Sequence, residues 1–315
     1  MPTIWVVAPS YCDVPAFEVV RKRTTEILAD HRDLAGYRPR FVLIDDSAGL
    51  DPEVAGLDLR DDTRVLQVPF NLGHQRALVF GVRVLSPEMA ADDVVVTLDS
   101  DGQDRPDDVP RLLAPILASA PDQRLVALAR RTERPESLGF RLGYLVFRCV
   151  FRLLTGTVVR TGNFAAYRSI VARQVLQHPH FDLCYSSSFI SLDGPLAFVP
   201  CARGERLAGQ SRMNRTRLGI HAIRMLMPFL DRIAIRMLAC FAALFGLSLG
   251  ALVATFLIRS LTDRAIPGWA TYTALGALIV SLVSLGNFVL LFATFAQSRS
   301  ISLINLEQTV GHERT

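Results

Sequence analysis

Two aspartates at i and i+2, Asp99 and Asp101, sit in the run VVVTLDSDGQDRP at residues 94–106. Apolar, mostly β-branched residues precede them; Gly102, Gln103, a further aspartate and, at Pro106, a proline follow. On an extended or turning backbone both carboxylates can reach one hard cation, and Gln103 adds a neutral oxygen two residues on. Mg²⁺ and Mn²⁺ suit such oxygen donors, with waters and substrate phosphates completing the shell. An Asp-x-Asp pair is also an ordinary solvated turn, so its meaning rests on what surrounds it.

The surroundings are periodic. IWVVA (4–8), FVLI (41–44), VLQV (65–68), VVVTL (94–98) and LVALA (125–129) read as buried strands, and LAFVP (196–200) as one more. Helical patterns lie between them at 15–30, 74–85, 107–119 and 138–156. Pro110 fits a first helical turn, whereas Pro115 is expected to disturb the helix interior. Strands alternating with helices of this length predict an α/β fold with a mostly parallel sheet covered on both faces. Ligands of such sheets bind at the carboxyl ends of the strands. The polar motifs fall at those ends: PSYCD after the first strand, DDSAGL after the second, PFNLGH after the third and DSDGQD after the fourth. Four such motifs on one sheet edge are harder to explain as turns than any one alone. In DDS, a carboxylate could accept hydrogen bonds from a base or ribose hydroxyl, or simply cap the next segment. Pro9, Tyr11 and Asp13 could wall a nucleobase, or be only a loop.

Composition narrows the class. The chain has 315 residues, half of them hydrophobic, and a net charge of +4 from 34 basic and 30 acidic residues; its mean hydropathy is +0.29. Lys22 is its one lysine, so anions must be met by guanidinium groups, which bind phosphate bidentately. No dense basic run interleaved with aromatics points to nucleic acid. The five cysteines form neither a C-x-x-C pair nor a Cys/His cluster, which argues for reduced thiols over zinc or disulfides. MPTIWVVAPSY lacks a basic leader and reads as a first strand.

The apolar excess is concentrated toward the C-terminus. Residues 237–258 and 269–296 carry no charge, and about 20 such residues cross a bilayer core. The short linker RSLTDRAIPG folds them into a hairpin. The preceding stretch, 215–236, sets Arg and His among apolar residues at helical spacing, as a helix in the headgroup layer would. Arg224, Arg232 and Arg236 before the spans, with Arg299 and Arg314 after them, favour a cytoplasmic soluble part. The expected organisation is a catalytic domain over 1–214, an interfacial helix over 215–236, a hairpin over 237–298 and a tail over 299–315. Gly246, Gly250 and Gly276 permit close helix packing, a homo-oligomer included.

The four strand-end motifs together resemble family-2 glycosyltransferases, and more narrowly the polyprenyl-phosphate (dolichyl-phosphate mannose synthase-like) members. PSYCD stands for Pro-x-Tyr-Asn-Glu, LIDDSAG for Val-Asp-Asp-Gly-Ser, and NLGHQRAL for Asn-x-Gly-x-x-x-Ala-Leu. DSDGQDRPDDVPRLL stands for Asp-Ala-Asp-Leu-Gln-x-Pro-Pro-Glu, and RLAGQSRM (206–213) for Arg-x-x-Gly-x-Ser-Lys. The resemblance covers residues 4–215 and extends to the helical hairpin of bacterial members. It implies a GT-A (Rossmann-like) fold and metal-dependent inverting transfer from a nucleotide sugar, a UDP- or GDP-sugar, to a polyprenyl phosphate such as undecaprenyl phosphate. It implies nucleotide contacts from Pro9, Tyr11, Asp13, Asp45 and Asp46. Asp99, Asp101 and Gln103 would hold Mg²⁺ or Mn²⁺ and the diphosphate. Arg130, Arg141, Arg206, Ser211 and Arg212 would take the acceptor phosphate, so the implied catalytic residues are Asp99, Asp101 and Arg206. The setting implied is a bacterial inner membrane, crossed more than once, with the catalytic domain in the cytoplasm. Where the family often has an Asp, TGNFAAYR (161–168) has Thr161 and Asn163, and no base is named there. A same-fold enzyme with another lipid or glycan acceptor is the alternative. A non-catalytic scaffold is disfavoured by the intact carboxylates of DSDGQ.

Overall fold

The computed structural model describes the whole chain except residues 58–60, 132–137, 160, 208–214, 263–267 and 299–315; for 131, 138–142, 215–217 and 295–298 it describes the backbone alone. Strands run Thr3–Ser10 (β1), Arg38–Asp45 (β2), Thr63–Gln67 (β3), Val94–Thr97 (β4), Val126–Arg131 (β5), Thr161–Arg168 (β6) and Leu196–Cys201 (β7). Helices run Val14–Asp30 (α1), His74–Leu85 (α2), Val109–Ala118 (α3), Leu138–Thr155 (α4), Ser169–Val175 (α5), Tyr185–Ser191 (α6), Arg215–Leu226 (α7), Leu230–Leu261 (α8) and Trp269–Ser298 (α9).

The strands form one sheet in the order β3-β2-β1-β4-β6-β5-β7. β1 to β4 are mutually parallel, β6 runs against β4 and β5, and β7 is parallel to β5. Apolar runs make these strands because both faces are covered. Ile4, Val6, Phe41, Leu43, Val94 and Val96 join Phe17 and Val20 of α1 and Leu112, Leu113 and Ile116 of α3 in one core. Each such side chain, fully buried, contributes roughly 1.5–3 kcal/mol. α2 packs on β1 and β2 from the other side. It does so closely: a Cβ on Gly81 would stand 2.7 Å from Ile44 Cδ1 and 3.1 Å from Val7 Cγ1.

The register aligns the strand ends. Ser10 pairs with Asp45, Asp45 with Gln67, and Val7 with Thr97. PSYCD, DDSAG, PFNLGH and DSDGQD therefore share one edge of the sheet. The carboxyl ends of β5 and β7 and the amino end of β6 lie on that edge too.

Two local expectations are corrected, and one strand is added. α3 continues through Pro115: in a ten-residue helix the ring forfeits a single hydrogen bond near the end. TGNFAAYR is a central strand, its alanines buried between β4 and β5. The stretch 215–236 is not one helix, because Met227-Pro228-Phe229 forms a 3₁₀ turn between α7 and α8.

Contacts divide the chain into two units, Met1–Cys149 with Thr157–Pro228, and Val150–Gly156 with Phe229–Thr315. The second contains α8 and α9, which are long and apolar enough to cross a membrane, each with a window of mean hydropathy 2.3. They pack together through a 2.5 Å hydrogen bond between the Ser248 and Ser281 hydroxyls. At about 1.5 Å per residue the 32 residues of α8 reach roughly 48 Å, more than a bilayer core.

Candidate active site

The second and fourth strand ends each carry a pair of aspartates, and the two pairs are held differently. Asp45 closes its own turn, accepting from Ser47 N at 2.9 Å and Gly49 N at 3.3 Å. Asp46 reaches the next loop, where its carboxylate accepts from Leu72 N at 2.6 Å and Gly73 N at 3.0 Å. Asn71 Nδ2 adds a 3.0 Å bond to the Asp46 carbonyl. Burial raises the Asp46 carboxyl above its usual range, against the pull of those two N–H groups. These carboxylates thus organise the rim of the site.

In DSDGQD the carboxylates meet charged side chains instead. His74 Nε2 lies 2.8 Å from Asp99 Oδ1. Burial alone would lower the His74 imidazole; the charge and hydrogen bond of Asp99, helped by Asp104 and Asp101, outweigh it and raise the group. Arg206 Nη2 lies 2.5 Å from Asp101 Oδ2, and Asp101 Oδ1 accepts from Gln103 N at 2.9 Å. Asp104 turns back to accept from Asp99 N at 3.0 Å.

The segment after β7 is strapped across this loop. Leu207 N donates to Asp101 O and Gly204 N to Gln103 O, both at 2.9 Å. Arg203 Nη2 donates to Gln103 Oε1 at 2.5 Å. Gly102 has φ +81°, and a Cβ there would stand 2.6 Å from the Leu207 side chain. The left-handed backbone favours glycine there, and any side chain would also have to displace that of Leu207.

A buried polar network lies beneath. Gln75 donates to Asn163 Oδ1 at 2.5 Å and accepts from Tyr185 N at 2.7 Å. Thr97, two residues before Asp99, donates to Asn163 O at 2.6 Å and meets the Tyr185 hydroxyl at 2.9 Å. Tyr185 in turn donates to the Tyr167 hydroxyl at 2.8 Å. This network ties α2, β4, β6 and α6 together. Asn163 serves it as a structural link.

The sequence-derived candidates fall as follows. Pro9 is buried in β1, Tyr11 is half-buried just beyond it, and Asp13 immediately precedes α1. Arg130 is exposed at the carboxyl end of β5, in register with Thr161. Arg206 reaches Asp101 across 105 positions of sequence. Gln103 turns its side-chain oxygen to Arg203. The side chain of Arg141, and Ser211 and Arg212 altogether, lie outside the described residues. His74, Gln75, Arg203 and Asp104 were not singled out from sequence. Only the NLGH motif hinted at His74, by placing it first in α2 beside the fourth strand end.

The donor chemistry fits a small hard cation. Asp99 and Asp101 offer carboxylate oxygens that already attract cationic side chains. Among the described residues no group of three or more His, Cys, Asp or Glu side chains forms a ready cage. Mg²⁺ in phosphate-handling sites is commonly held that way, by one or two carboxylates plus substrate phosphates.

The model of "Glycosyl transferase family 2" matches residues 12–176, just over half of the chain. The chain belongs to glycosyl transferase family 2, and its chemistry is glycosyl transfer from a nucleotide sugar. Among solved structures, the crystal structure of a mycobacterial protein shares the fold at 21% identity and a TM-score of 0.50, over 74% of this chain and 75% of that one. S. aureus TarS 1-349 is similar at 11% identity and a TM-score of 0.40, over 76% of this chain and 66% of that one. GalNAc-T7 with UDP, GalNAc and Mn2+ is similar at 15% identity and a TM-score of 0.42, over 72% of this chain and 48% of that one. No curated protein matches the chain.

Proposed function

We propose that the chain moves one sugar from a UDP- or GDP-sugar to a polyprenyl phosphate, undecaprenyl phosphate above all, at the cytoplasmic face of a bacterial inner membrane. The observation that carries this reading is the ion pair between Arg206 and Asp101. It joins a carboxylate suited to the donor's metal–diphosphate end to a guanidinium suited to a second phosphate. Two anions could then be held side by side, one leaving and one attacking. The apolar helices α8 and α9 support an acceptor that arrives from the bilayer.

In the reaction, an acceptor phosphate oxygen forms a bond to the anomeric carbon as the bond from that carbon to the diphosphate breaks. The nucleoside diphosphate leaves with the electron pair, and the sugar inverts. A phosphate monoester with a second pKa of about 6 is already mostly dianionic at pH 7, so the acceptor needs little help from a base. The demand falls on the leaving group, whose charge a divalent ion on Asp99 and Asp101 would neutralise. Pro9, Tyr11 and Asp13 would flank the nucleotide, within loops held by Asp45 and Asp46. Arg206, with Arg130, Arg141, Ser211 and Arg212, would hold the acceptor phosphate in line with the sugar carbon.

The test uses purified full-length chain, Mg²⁺ or Mn²⁺, a panel of labelled nucleotide sugars and undecaprenyl phosphate. Label is expected in a lipid-linked sugar phosphate. Label on a neutral lipid alone, or none across the panel, overturns the acceptor assignment.

A further inference from the structure

α4 carries apolar residues on both sides, and the protein covers only one of them. Its covered side is Tyr144, Phe147, Arg148, Phe151, Leu154 and Thr155, spaced at i, i+3, i+4, i+7, i+10 and i+11. Its open side is apolar. Leu145 is 52% exposed, Val146 56%, Val150 46% and Leu153 73%, and Cys149 in their midst is exposed as well. A helix facing water presents polar residues there, and contiguous exposed apolar patches mark interaction surfaces.

Two observations identify the occupant. The first is charge: Leu138–Thr155 holds three arginines and no acidic residue. Arg148 belongs to the covered side, its guanidinium over the Tyr144 ring at 5.8 Å, whereas Arg152 is exposed beside the open face. An exposed basic side chain beside an apolar face, with no acidic residue on the helix, fits an anionic headgroup layer. The second is continuity with the apolar hairpin. Arg236 of α8 donates from Nη1 to the carbonyls of Leu153 (2.6 Å) and Arg152 (3.4 Å), closing the C-terminal end of α4. Phe151 meets Phe229, which adjoins α8, edge-on at 5.6 Å. Leu153 is thereby joined to the start of α8, where Ile235 is 63% exposed.

We infer that the open face of α4 lies in the headgroup layer of an anionic bilayer, as a second surface anchor besides the hairpin. The inference rests on reading α8 and α9 as membrane spans. It accounts for a helix that the sugar-transfer chemistry does not require to be apolar.

Cys149 reports directly on it. Cys12→Ser and Cys240→Ala leave Cys149 as the one exposed thiol among the five cysteines. The full chain is labelled there with bimane and reconstituted in nanodiscs containing phosphatidylglycerol. The expected result is blue-shifted emission, quenched several-fold more by 5-doxyl lipid than by aqueous iodide. A variant retaining Cys12 instead of Cys149 supplies the water-exposed reference. Iodide quenching equal to that reference overturns the inference, and so does quenching by neither agent, which means that protein covers the face. Carbonate extraction separates the two claims. A chain released by carbonate sinks the spanning reading. A chain retained, with Cys149 open to iodide, sinks only the role of α4.

Discussion

Asp45–Asp46 and Asp99–Asp101 look alike in sequence and do different work. Both pairs close a buried parallel strand and are themselves mostly buried. The first pair spends its oxygens on four backbone N–H groups. Such partners cannot leave without unfolding a loop. The second pair keeps one backbone donor, Gln103 N on Asp101, and is otherwise matched by side chains, His74 and Arg206, which can swing aside when a cation or a phosphate takes their place. Backbone-bound carboxylates build a site, and side-chain-bound carboxylates are available to act in it.

The sharpest way to break this contrast is Asp101→Asn. The amide keeps an acceptor for Gln103 N and removes the charge that faces Arg206. Turnover is expected to fall about a hundredfold to a thousandfold, or roughly 3–4 kcal/mol of barrier. The melting temperature should move by only about 2–4 °C, or roughly 1 kcal/mol. An unchanged rate would sink the assignment of Asp101 to the reacting end of the donor.

Asp46 should behave the other way round. Asp46→Ala strands two partly buried N–H groups, which costs about 1–3 kcal/mol of stability at most; any loss of activity should follow the fraction unfolded. The charge also leaves a pH signature. Burial raises the folded-state pKa of Asp46, so between its ordinary value and the raised one the folded chain binds more protons than the unfolded chain. Stability then falls as pH rises through that window. Asp46→Asn should flatten this slope in melting curves taken from about pH 4 to pH 7, a range starting at the ordinary carboxylate value. A slope identical to that of the unaltered chain would contradict the buried, backbone-held carboxylate.

The strand ends were legible because parallel strands buried on both faces write themselves as unbroken apolar runs. The polar motif after each run then marks the ligand edge. β6 was not legible. Its first three residues are polar or glycine, and its buried positions include two alanines, sized to fit between neighbouring strands. The turn at Pro228 was hidden by apolar periodicity that continues on both sides of it. In the site, residue types revealed the carboxylates but not their partners. His74 meets Asp99 only because α2 begins beside the end of β4. Arg203 and Arg206 meet the DSDGQ loop only because β7 delivers them there. Helical spacing identified α4 but not which of its faces is covered.

The smallest effect expected is at His74. Its pair with Asp99 is partly open to solvent, with side-chain exposures of 41% and 18%, and such pairs contribute about 0.2–1 kcal/mol. His74→Ala should therefore cost turnover no more than about fivefold, since 1.4 kcal/mol is tenfold. His74→Gln, which keeps an N–H donor without the charge, should recover part of that loss. Steady-state rates at saturating and limiting donor would separate the cases. A positioning role lowers kcat modestly and leaves the donor KM near its original value. If His74→Ala instead lowers turnover as far as Asp101→Asn, the imidazole handles the reacting groups itself. The division between partners that step aside and residues that act would then have to be redrawn within the second pair.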